Sequence, residues 1–194
     1  MAITKNKKTL VCPWWLVWTF DNPLRILLHD PEKLFAGLIE PGQTALDIGC
    51  GAGHFSLGLA QIVGTEGKVI ASDLQPAMLA KVRARAERAG LLQRIQLHQC
   101  GQESIGLDEE GNVDLALTFW MLHEVPDQER FLQQIYRLVK PGGKLLIVEP
   151  YVHVSGRAFR RSMKKAESAG FQNIGPRKVR FSRAVLLGKN PDQA

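Results

Sequence analysis

The chain of 194 residues carries a net charge of +6, and 45% of its residues are hydrophobic and 23% charged, as in an ordinary globular domain. The longest aromatic and apolar run, residues 10–20, is too short to cross a bilayer and argues against a membrane-spanning protein. The three cysteines lie far apart without a C-x-x-C pair, which indicates neither a zinc site nor a disulfide framework. We therefore expect a soluble, cytoplasmic protein without a metal site.

The N-terminal part of the chain, residues 1–39, is predicted to be an extension that precedes a core over residues 40–190, within a single domain overall. Three of the four tryptophans lie between Trp14 and Trp18. Such a concentration of apolar surface needs a partner surface. The segment is therefore interpreted as a lid over a substrate, with packing against the outside of the first helices as the alternative.

The centre of the pattern is the sequence A-L-D-I-G-C-G-A-G, residues 45–53, in which an apolar run contains an acid and glycines then follow at every second position. An amphipathic segment begins at His54, so this stretch is predicted to be a buried strand, a tight turn and the start of a helix. Glycines in the turn allow positive φ angles and bring backbone N–H groups close to a ligand at the carboxyl end of the strand.

Two kinds of ligand compete for this turn. A dinucleotide site is typically G-x-G-x-x-G, with the pyrophosphate at the helix N-terminus. Here the pattern is D-x-G-x-G-x-G, with Asp47 two residues before Gly49. A carboxylate at that place would repel a pyrophosphate, whereas it suits a ligand that carries an ammonium group.

Farther along the chain, apolar strands alternate with amphipathic helices, which predicts right-handed βαβ units and a parallel sheet covered on both faces. Further strands are expected over residues 68–73, 94–100, 113–118, 145–150, 171–179 and 181–187, and helices over residues 24–29, 31–39, 54–63, 76–89, 128–139 and 155–169. Asp73 ends the second strand 20 residues after Gly53. A ribose-binding acid belongs there in a nucleotide-binding fold, and a helix N-cap is the alternative role.

The glycine loop, Asp73 and the turn K-P-G-G at residues 140–143 resemble the class I S-adenosylmethionine-dependent methyltransferases, in particular the small single-domain prokaryotic enzymes of the quinone-biosynthesis and small-molecule group. The resemblance covers about residues 40–188. It implies a Rossmann-like α/β fold, a seven-stranded doubly wound sheet in the order 3-2-1-4-5-7-6 with helices on both faces and one antiparallel strand. It also implies S-adenosylmethionine as the cofactor and S-adenosylhomocysteine as the product.

The same resemblance implies which residues bind the cofactor. Asp47 is expected near the ammonium group, Asp73 on the ribose hydroxyls and Leu74 against the adenine. Many relatives have an Asp after the third strand, but this chain has C-G-Q-E at residues 100–103, so backbone or amide groups there are expected to contact adenine. The predicted set is Asp47, Gly49, Cys50, Gly51, Gly53, Asp73, Leu74, Gly101, Gln102 and Phe119.

The segment F-W-M-L-H-E-V, residues 119–125, follows the fourth strand and is expected beside the sulfonium. It lacks the [DN]-P-P-[YF] motif with which related enzymes methylate amines of nucleic-acid bases, and its apolar residues favour a small organic acceptor. His123 is the candidate general base because histidine titrates near neutral pH, with a structural histidine as the alternative. The predicted substrate pocket consists of Trp14, Trp18, Trp120 and His153.

The chain from residue 151 onward is strongly basic. It contains Arg157, Arg160, Arg161, Lys164, Lys165, Arg177, Lys178, Arg180, Arg183 and Lys189, against Glu167 and Asp192. A solvated face is the plainer interpretation, and an anionic lipid surface, an anionic substrate or nucleic acid is the alternative.

Three functions are open at this point. A methyltransferase of a small organic acceptor leads, and an NAD-dependent oxidoreductase is disfavoured by the glycine spacing. A non-catalytic cofactor-binding or nucleic-acid-binding protein is supported only by the basic region. The acceptor and the oligomeric state are left open by the sequence.

Overall fold

A computed structural model describes residues 29–108 and 110–192 of the chain. Seven strands lie within these residues: β1 (Thr44–Ile48), β2 (Lys68–Asp73), β3 (Ile95–Gln99), β4 (Val113–Phe119), β5 (Val139–Pro150), β6 (Gln172–Val179) and β7 (Ser182–Gly188). The α-helices are α1 (Pro31–Phe35), α2 (His54–Ile62), α3 (Pro76–Arg88), α4 (Gln128–Leu138) and α5 (Gly156–Ser168), and 3₁₀ turns occur at Leu92–Arg94 and Leu122–Glu124. The predicted alternation of strands and helices is therefore confirmed.

The strands form one sheet in the order β3-β2-β1-β4-β5-β7-β6. Neighbours from β3 through β5 are parallel, whereas β7 is antiparallel to both β5 and β6. The predicted strand order and the single antiparallel strand are confirmed. This order gathers the carboxyl ends of β1, β2, β3, β4 and β5 along one edge of the sheet, the place where ligands bind in open α/β folds.

Two hydrophobic cores lie on opposite faces of the sheet, as a doubly wound fold requires. One contains Phe35, Leu59 and Val82 from α1, α2 and α3. The other contains Phe131 from α4 and Met163 from α5. The central strands are buried on both faces, which explains why their sequences read as nearly continuous apolar runs. Among the described residues, no helix combines the length and the apolar character needed to cross a membrane.

The first helix is shorter than predicted. The expected helix over residues 31–39 ends at Phe35, and Gly37 follows in the left-handed region with φ +69°. Such a glycine commonly terminates a helix. Leu38 and Ile39 are nevertheless buried in the same core as Phe35. The division of the chain at residue 39 remains a prediction, and the expected helix over 24–29 lies outside the described residues except for its last position.

The fifth strand is longer than predicted because it begins at Val139 rather than at residue 145. The pairing with β4 jumps from Val139 to Lys144, so residues 140–143 bulge out of the ladder. Pro141 has no N–H to donate, and Gly142 has φ +78°. The bulge pairs instead with the end of β7, where the Lys189 carbonyl accepts from the Gly142 N–H and the Lys189 N–H donates to the Gly143 carbonyl.

Candidate active site

The glycine loop after β1 is fixed to the neighbouring strand by its own backbone. Gly49, Gly51 and Gly53 all have positive φ angles, at +70°, +53° and +84°. The N–H groups of Gly49 and Cys50 both donate to the carbonyl of Ser72, at 2.8 and 3.0 Å. The loop is thus held rigidly at the carboxyl edge of the sheet.

Gly53 and Gly51 differ in what lies beside their Cα atoms. A Cβ at Gly53 would lie 2.9 Å from a methyl group of Val82, so this glycine allows α3 to pack closely on the loop. A Cβ at Gly51 would meet no atom within 4 Å, and Gly51 lines a cavity. The space beside Gly51 is therefore open to a ligand, whereas the space beside Gly53 is filled by protein.

Asp73 ends β2 and is almost fully buried beside the glycine loop. Its Oδ2 accepts from the Gly51 N–H and its Oδ1 from the Gln75 N–H, both at 2.9 Å. Burial raises the pKa of this carboxyl, and the backbone hydrogen bonds oppose that rise. Each oxygen retains lone-pair capacity toward the cavity that Asp73 lines, which suits the hydroxyl groups of a ribose.

Asp47 lies beneath the loop rather than along the cavity. Its side chain is buried, and its Oδ2 accepts from the Ser56 hydroxyl at 2.6 Å in the first turn of α2. Asp47 and Gly53 are not among the described residues that line the cavity. The expected approach of Asp47 to an ammonium group remains a prediction.

The cavity has a volume of about 540 Å³ and follows the carboxyl edge of the sheet. Eleven predicted site residues line it: Gly49, Cys50, Gly51, Asp73, Leu74, Gly101, Gln102, Phe119, Trp120, His123 and His153. It is also lined by Met121, from the segment expected beside the sulfonium, and by residues that the sequence did not single out, among them Gln75, Met78, Val152 and Phe181. The predicted pocket residues Trp14 and Trp18 lie outside the described residues.

His123 is paired with a carboxylate that the sequence analysis missed. Its Nδ1 donates to Glu149 Oε2 at 2.5 Å, and its backbone N–H donates to Glu149 Oε1 at 3.2 Å. Glu149 is buried near the end of β5, directly before Pro150. An acid at the end of a buried strand was the signal that identified Asp73, and Glu149 carries the same signal.

Two opposing effects act on the pKa of His123, namely burial and the neighbouring carboxylates. Burial disfavours the imidazolium, but the hydrogen bond and the charge of Glu149, with a smaller contribution from Glu124, outweigh it, so the pKa of His123 is raised above 6.5. With Nδ1 bound to Glu149, Nε2 is the nitrogen available to the cavity. The ring of His153 lies 5.7 Å away, centroid to centroid.

Trp120 adopts a backbone conformation that is rare for a large side chain, with φ +59°. Its indole N–H donates to the Ser182 hydroxyl at 2.9 Å, and its backbone N–H donates to the Val148 carbonyl at 2.8 Å. These bonds fix Trp120 against β5 and β7. Its ring packs beside Phe119, with centroids 5.2 Å apart, and the pair forms an apolar wall next to His123.

Cys50 and Cys100 also line the cavity as free thiols. Burial raises the pKa of both, and for Cys50 the nearby charges of Asp47 and Asp73 raise it further. Neutral thiols are poor ligands for a metal or metalloid. The described residues contain no cluster of three or more His, Cys, Asp or Glu side chains arranged to hold a metal ion.

Comparison with known proteins places this geometry among methyltransferases. The chain is similar to demethylmenaquinone methyltransferase of Oceanobacillus iheyensis, at 36% identity over 111 residues, which are 57% of this chain and 46% of the relative. It is also similar to ubiquinone/menaquinone biosynthesis C-methyltransferase UbiE of Escherichia coli, at 30% identity over 57% of this chain and 44% of the relative. The match thus spans less than half the length of these curated relatives.

Two of the solved structures that resemble this chain are also named as methyltransferases. A SAM-dependent methyltransferase from Aquifex aeolicus superposes with a TM-score of 0.81 at 25% identity and covers 91% of this chain and 98% of the other. A putative S-adenosyl-L-methionine-dependent methyltransferase from Methanococcus maripaludis has the same fold, with a TM-score of 0.74, 20% identity and coverage of 93% and 91%. The family model described as a methyltransferase domain matches residues 39–179, well over half of the chain. The predicted family is therefore confirmed, and the chain belongs to the methyltransferase domain family.

Proposed function

We propose that this chain is an S-adenosylmethionine-dependent methyltransferase that acts on a small apolar acceptor of the hydroquinone type. The observation that carries the proposal is one cavity that is lined both by Gly51 and Asp73, at the carboxyl ends of β1 and β2, and by His123, which follows β4. A cofactor beside Gly51 and Asp73 (the cofactor end) would present its reactive group to a substrate beside His123 (the acceptor end).

The cofactor end fits the chemistry of S-adenosylmethionine. Asp73 supplies a buried carboxylate for two ribose hydroxyls, and the open space beside Gly51 admits the ligand. We assign the apolar contact with adenine to Leu74 and Met78, and the polar contact with its edge to Gly101 and Gln102, because all four line the same cavity. When bound, the cofactor supplies a methyl group on a positively charged sulfur, and that sulfur leaves as a neutral thioether.

The acceptor end suits a small apolar ring because it is lined by Phe119, Trp120, Met121 and Phe131. The names of the curated relatives indicate quinone precursors as acceptors. A hydroquinone that loses a phenolic proton gains electron density on a neighbouring ring carbon. That carbon forms the bond to the methyl group, and tautomerisation restores the aromatic ring, so the transfer releases one proton in total.

We assign the removal of that proton to His123, with Glu149 as its positioning residue. The Nδ1–Glu149 hydrogen bond selects the tautomer in which Nε2 carries a lone pair. The buried carboxylate then stabilises the imidazolium that forms when Nε2 accepts the proton. This arrangement favours a catalytic role for His123 over the purely structural one.

The tryptophan-rich segment with Trp14 and Trp18 is proposed as the cover of the acceptor end. The described part of the chain begins at His29, whose ring centroid lies 5.1 Å from that of Phe119 and 5.4 Å from that of Trp120. His29, the first described residue, therefore lies beside two residues that line the cavity. A cover at this place would exclude water from the sulfonium.

A cytoplasmic location belongs to the same proposal. The thiols of Cys50 and Cys100 are unpaired within the described residues, which is typical of a reducing compartment.

A matched pair of glycine variants tests the function by calorimetry with S-adenosylhomocysteine and, separately, with NADH. Gly51 and Gly64 both have positive φ and an open space where a Cβ would lie, but only Gly51 lines the cavity. Gly51→Val should abolish binding of S-adenosylhomocysteine, whereas Gly64→Val should cost a similar amount of stability and leave binding intact. Wild-type protein that binds NADH and not S-adenosylhomocysteine would refute the proposal.

A further inference from the structure

Large hydrophobic side chains are exposed around the mouth of the cavity. Among the described residues, four large hydrophobic side chains are more than half exposed, and three of them are Tyr151 (54%), Val152 (87%) and Phe181 (59%). Val152 and Phe181 line the cavity, and the Tyr151 N–H donates to the Phe181 carbonyl at 3.0 Å. We call these three residues the apolar rim. The fourth, Ile174, lies at the opposite end of β6.

Phe181 occupies its place at a conformational cost. It lies at the tip of the hairpin between β6 and β7 with φ +56°, a region in which glycine or asparagine is normally found. Packing of its ring in the core does not account for this choice, because the residue is 59% exposed. Strained residues concentrate at functional sites, so the position indicates that the exposed ring has a binding role.

The hairpin tip is held rigidly in the fold. The Arg180 carbonyl accepts from His29 Nε2 at 3.1 Å and from the Ser182 hydroxyl at 3.1 Å. Ser182 in turn accepts from the Trp120 indole. The tip therefore presents Phe181 at a fixed place beside the cavity, without a further ordering cost when the ring is buried by a partner.

Basic side chains lie beside the apolar rim. The Arg183 guanidinium lies 4.6 Å from the ring centroid of Tyr151. Arg160, in the first turns of α5, and Arg183 both lie within 4 Å of the place that a Cβ at Gly156 would take. Arg157 on α5 and Arg180 at the hairpin tip are exposed. An exposed apolar surface with cations beside it complements a surface that is apolar inside and negatively charged outside.

We propose that this edge of the molecule docks on an anionic phospholipid bilayer. The apolar rim enters the interfacial layer, and the arginines pair with lipid phosphates. The cavity then opens onto the layer in which an apolar acceptor dissolves, a consequence that rests on the proposed function, whereas the docking itself does not. Nucleic acid fits less well because an aliphatic residue such as Val152 offers it neither stacking nor a hydrogen bond.

Sedimentation with vesicles tests the docking. Wild-type protein should bind vesicles that contain phosphatidylglycerol and not vesicles of phosphatidylcholine alone, and high salt should weaken the binding. Phe181→Gly should weaken it about three- to tenfold, because one half-exposed aromatic ring is lost. The double change Arg157→Glu and Arg160→Glu should weaken it more than about tenfold.

Matched controls separate docking from unfolding. Ile174→Ser removes an equally exposed residue from the far end of β6, and Arg83→Glu reverses an exposed charge on α3, so both should bind vesicles like the wild type. Phe181→Gly relieves the positive φ, so its melting temperature should equal or exceed that of the wild type while its vesicle binding falls. If the ring had a structural role, the melting temperature and the vesicle binding of Phe181→Gly would both fall.

Three results would overturn the proposal. The first is wild-type protein that does not sediment with anionic vesicles. The second is binding of an RNA or DNA oligonucleotide that depends on the same residues and competes vesicles away. The third is a Phe181→Gly variant with a lower melting temperature and altered tryptophan fluorescence, since the rim would then be covered by residues 1–28. Binding of S-adenosylhomocysteine, measured in parallel, reports on the proposed function independently of all three.

Discussion

The pairing of His123 with Glu149 makes a quantitative prediction for Glu149→Gln. The variant keeps the shape of the side chain but removes the charge that stabilises the imidazolium. A hydrogen bond to a charged group contributes about 1.5–3 kcal/mol, and the bond is strongest when the imidazole has taken up the proton. Loss of that stabilisation in the transition state should lower kcat about ten- to a hundredfold.

The pKa of His123 itself provides an assay that needs no acceptor. In the wild type it is raised above 6.5 because the hydrogen bond and charge of Glu149 outweigh burial. In the Glu149→Gln variant only burial and the smaller charge of Glu124 act, so the pKa should fall. An NMR titration of the imidazole carbon-bound protons follows this change, and the signal among the five histidines is assigned by its loss in His123→Gln.

The raised pKa of His123 also determines how the loss of stability in Glu149→Gln depends on pH. A raised folded-state pKa contributes stability that is fully present below pH 6.5 and is lost as the pH rises through the folded-state value. The difference in unfolding free energy between wild type and Glu149→Gln should therefore be larger at pH 5.5 to 6 (about one half to one unit below the unfolded pKa) than at about pH 9. Affinity for S-adenosylhomocysteine should stay within about threefold, since Glu149 is not among the described lining residues. An unchanged or higher pKa of His123 in the variant would refute the assignment of Glu149 as its positioning residue.

Two further predictions concern the ends of the cavity. Asp73→Asn should weaken S-adenosylhomocysteine binding about ten- to a hundredfold in calorimetry, because a charged acceptor worth about 1.5–3 kcal/mol is lost, and unchanged affinity would contradict the ribose role. Asn retains one acceptor oxygen, so it keeps one of the two hydrogen bonds from the N–H groups of Gly51 and Gln75 and loses the other, whereas Ala would lose both. Deletion of residues 1–20 should leave that affinity within a few-fold and remove most turnover with a hydroquinone acceptor, whereas joint loss of cofactor binding and cooperative melting would identify the segment as core packing.

The grouping of the glycine loop and Asp73 in one cavity was predictable because its signals are local in sequence. The glycines of residues 49–53 and the acid Asp73 each follow an apolar strand directly, and the parallel fold brings the ends of such strands together. The role of Asp47 stays a prediction, because sequence spacing alone does not determine where its side chain points. The spacing identifies an acid before the loop, but the side-chain direction depends on the pleat of β1, which places the carboxylate against Ser56.

The acceptor end was less predictable because it depends on long-range register. Glu149 meets His123 only because Phe119 pairs with Val148 across β4 and β5, and no sequence pattern encodes that pairing. Phe181 was assigned to the start of the last strand. It lies instead at the hairpin tip, which consists of Arg180 and Phe181 and contains no glycine or asparagine to indicate a turn. Residues that adopt unfavourable backbone angles are the ones that local propensity cannot identify.

The position of β7 between β5 and β6 has a consequence for synthesis on the ribosome. β5 pairs along one edge with β4, and within residues 29–108 and 110–192 its other edge pairs with β7 alone, whose last paired residue is Gly188. A nascent chain that has emerged only as far as β6 therefore presents the free edge of a long apolar strand, the kind of surface that pairs with other chains. Because β6 is held in the sheet through β7, the two strands must join as one hairpin, and the sheet closes in a single late step.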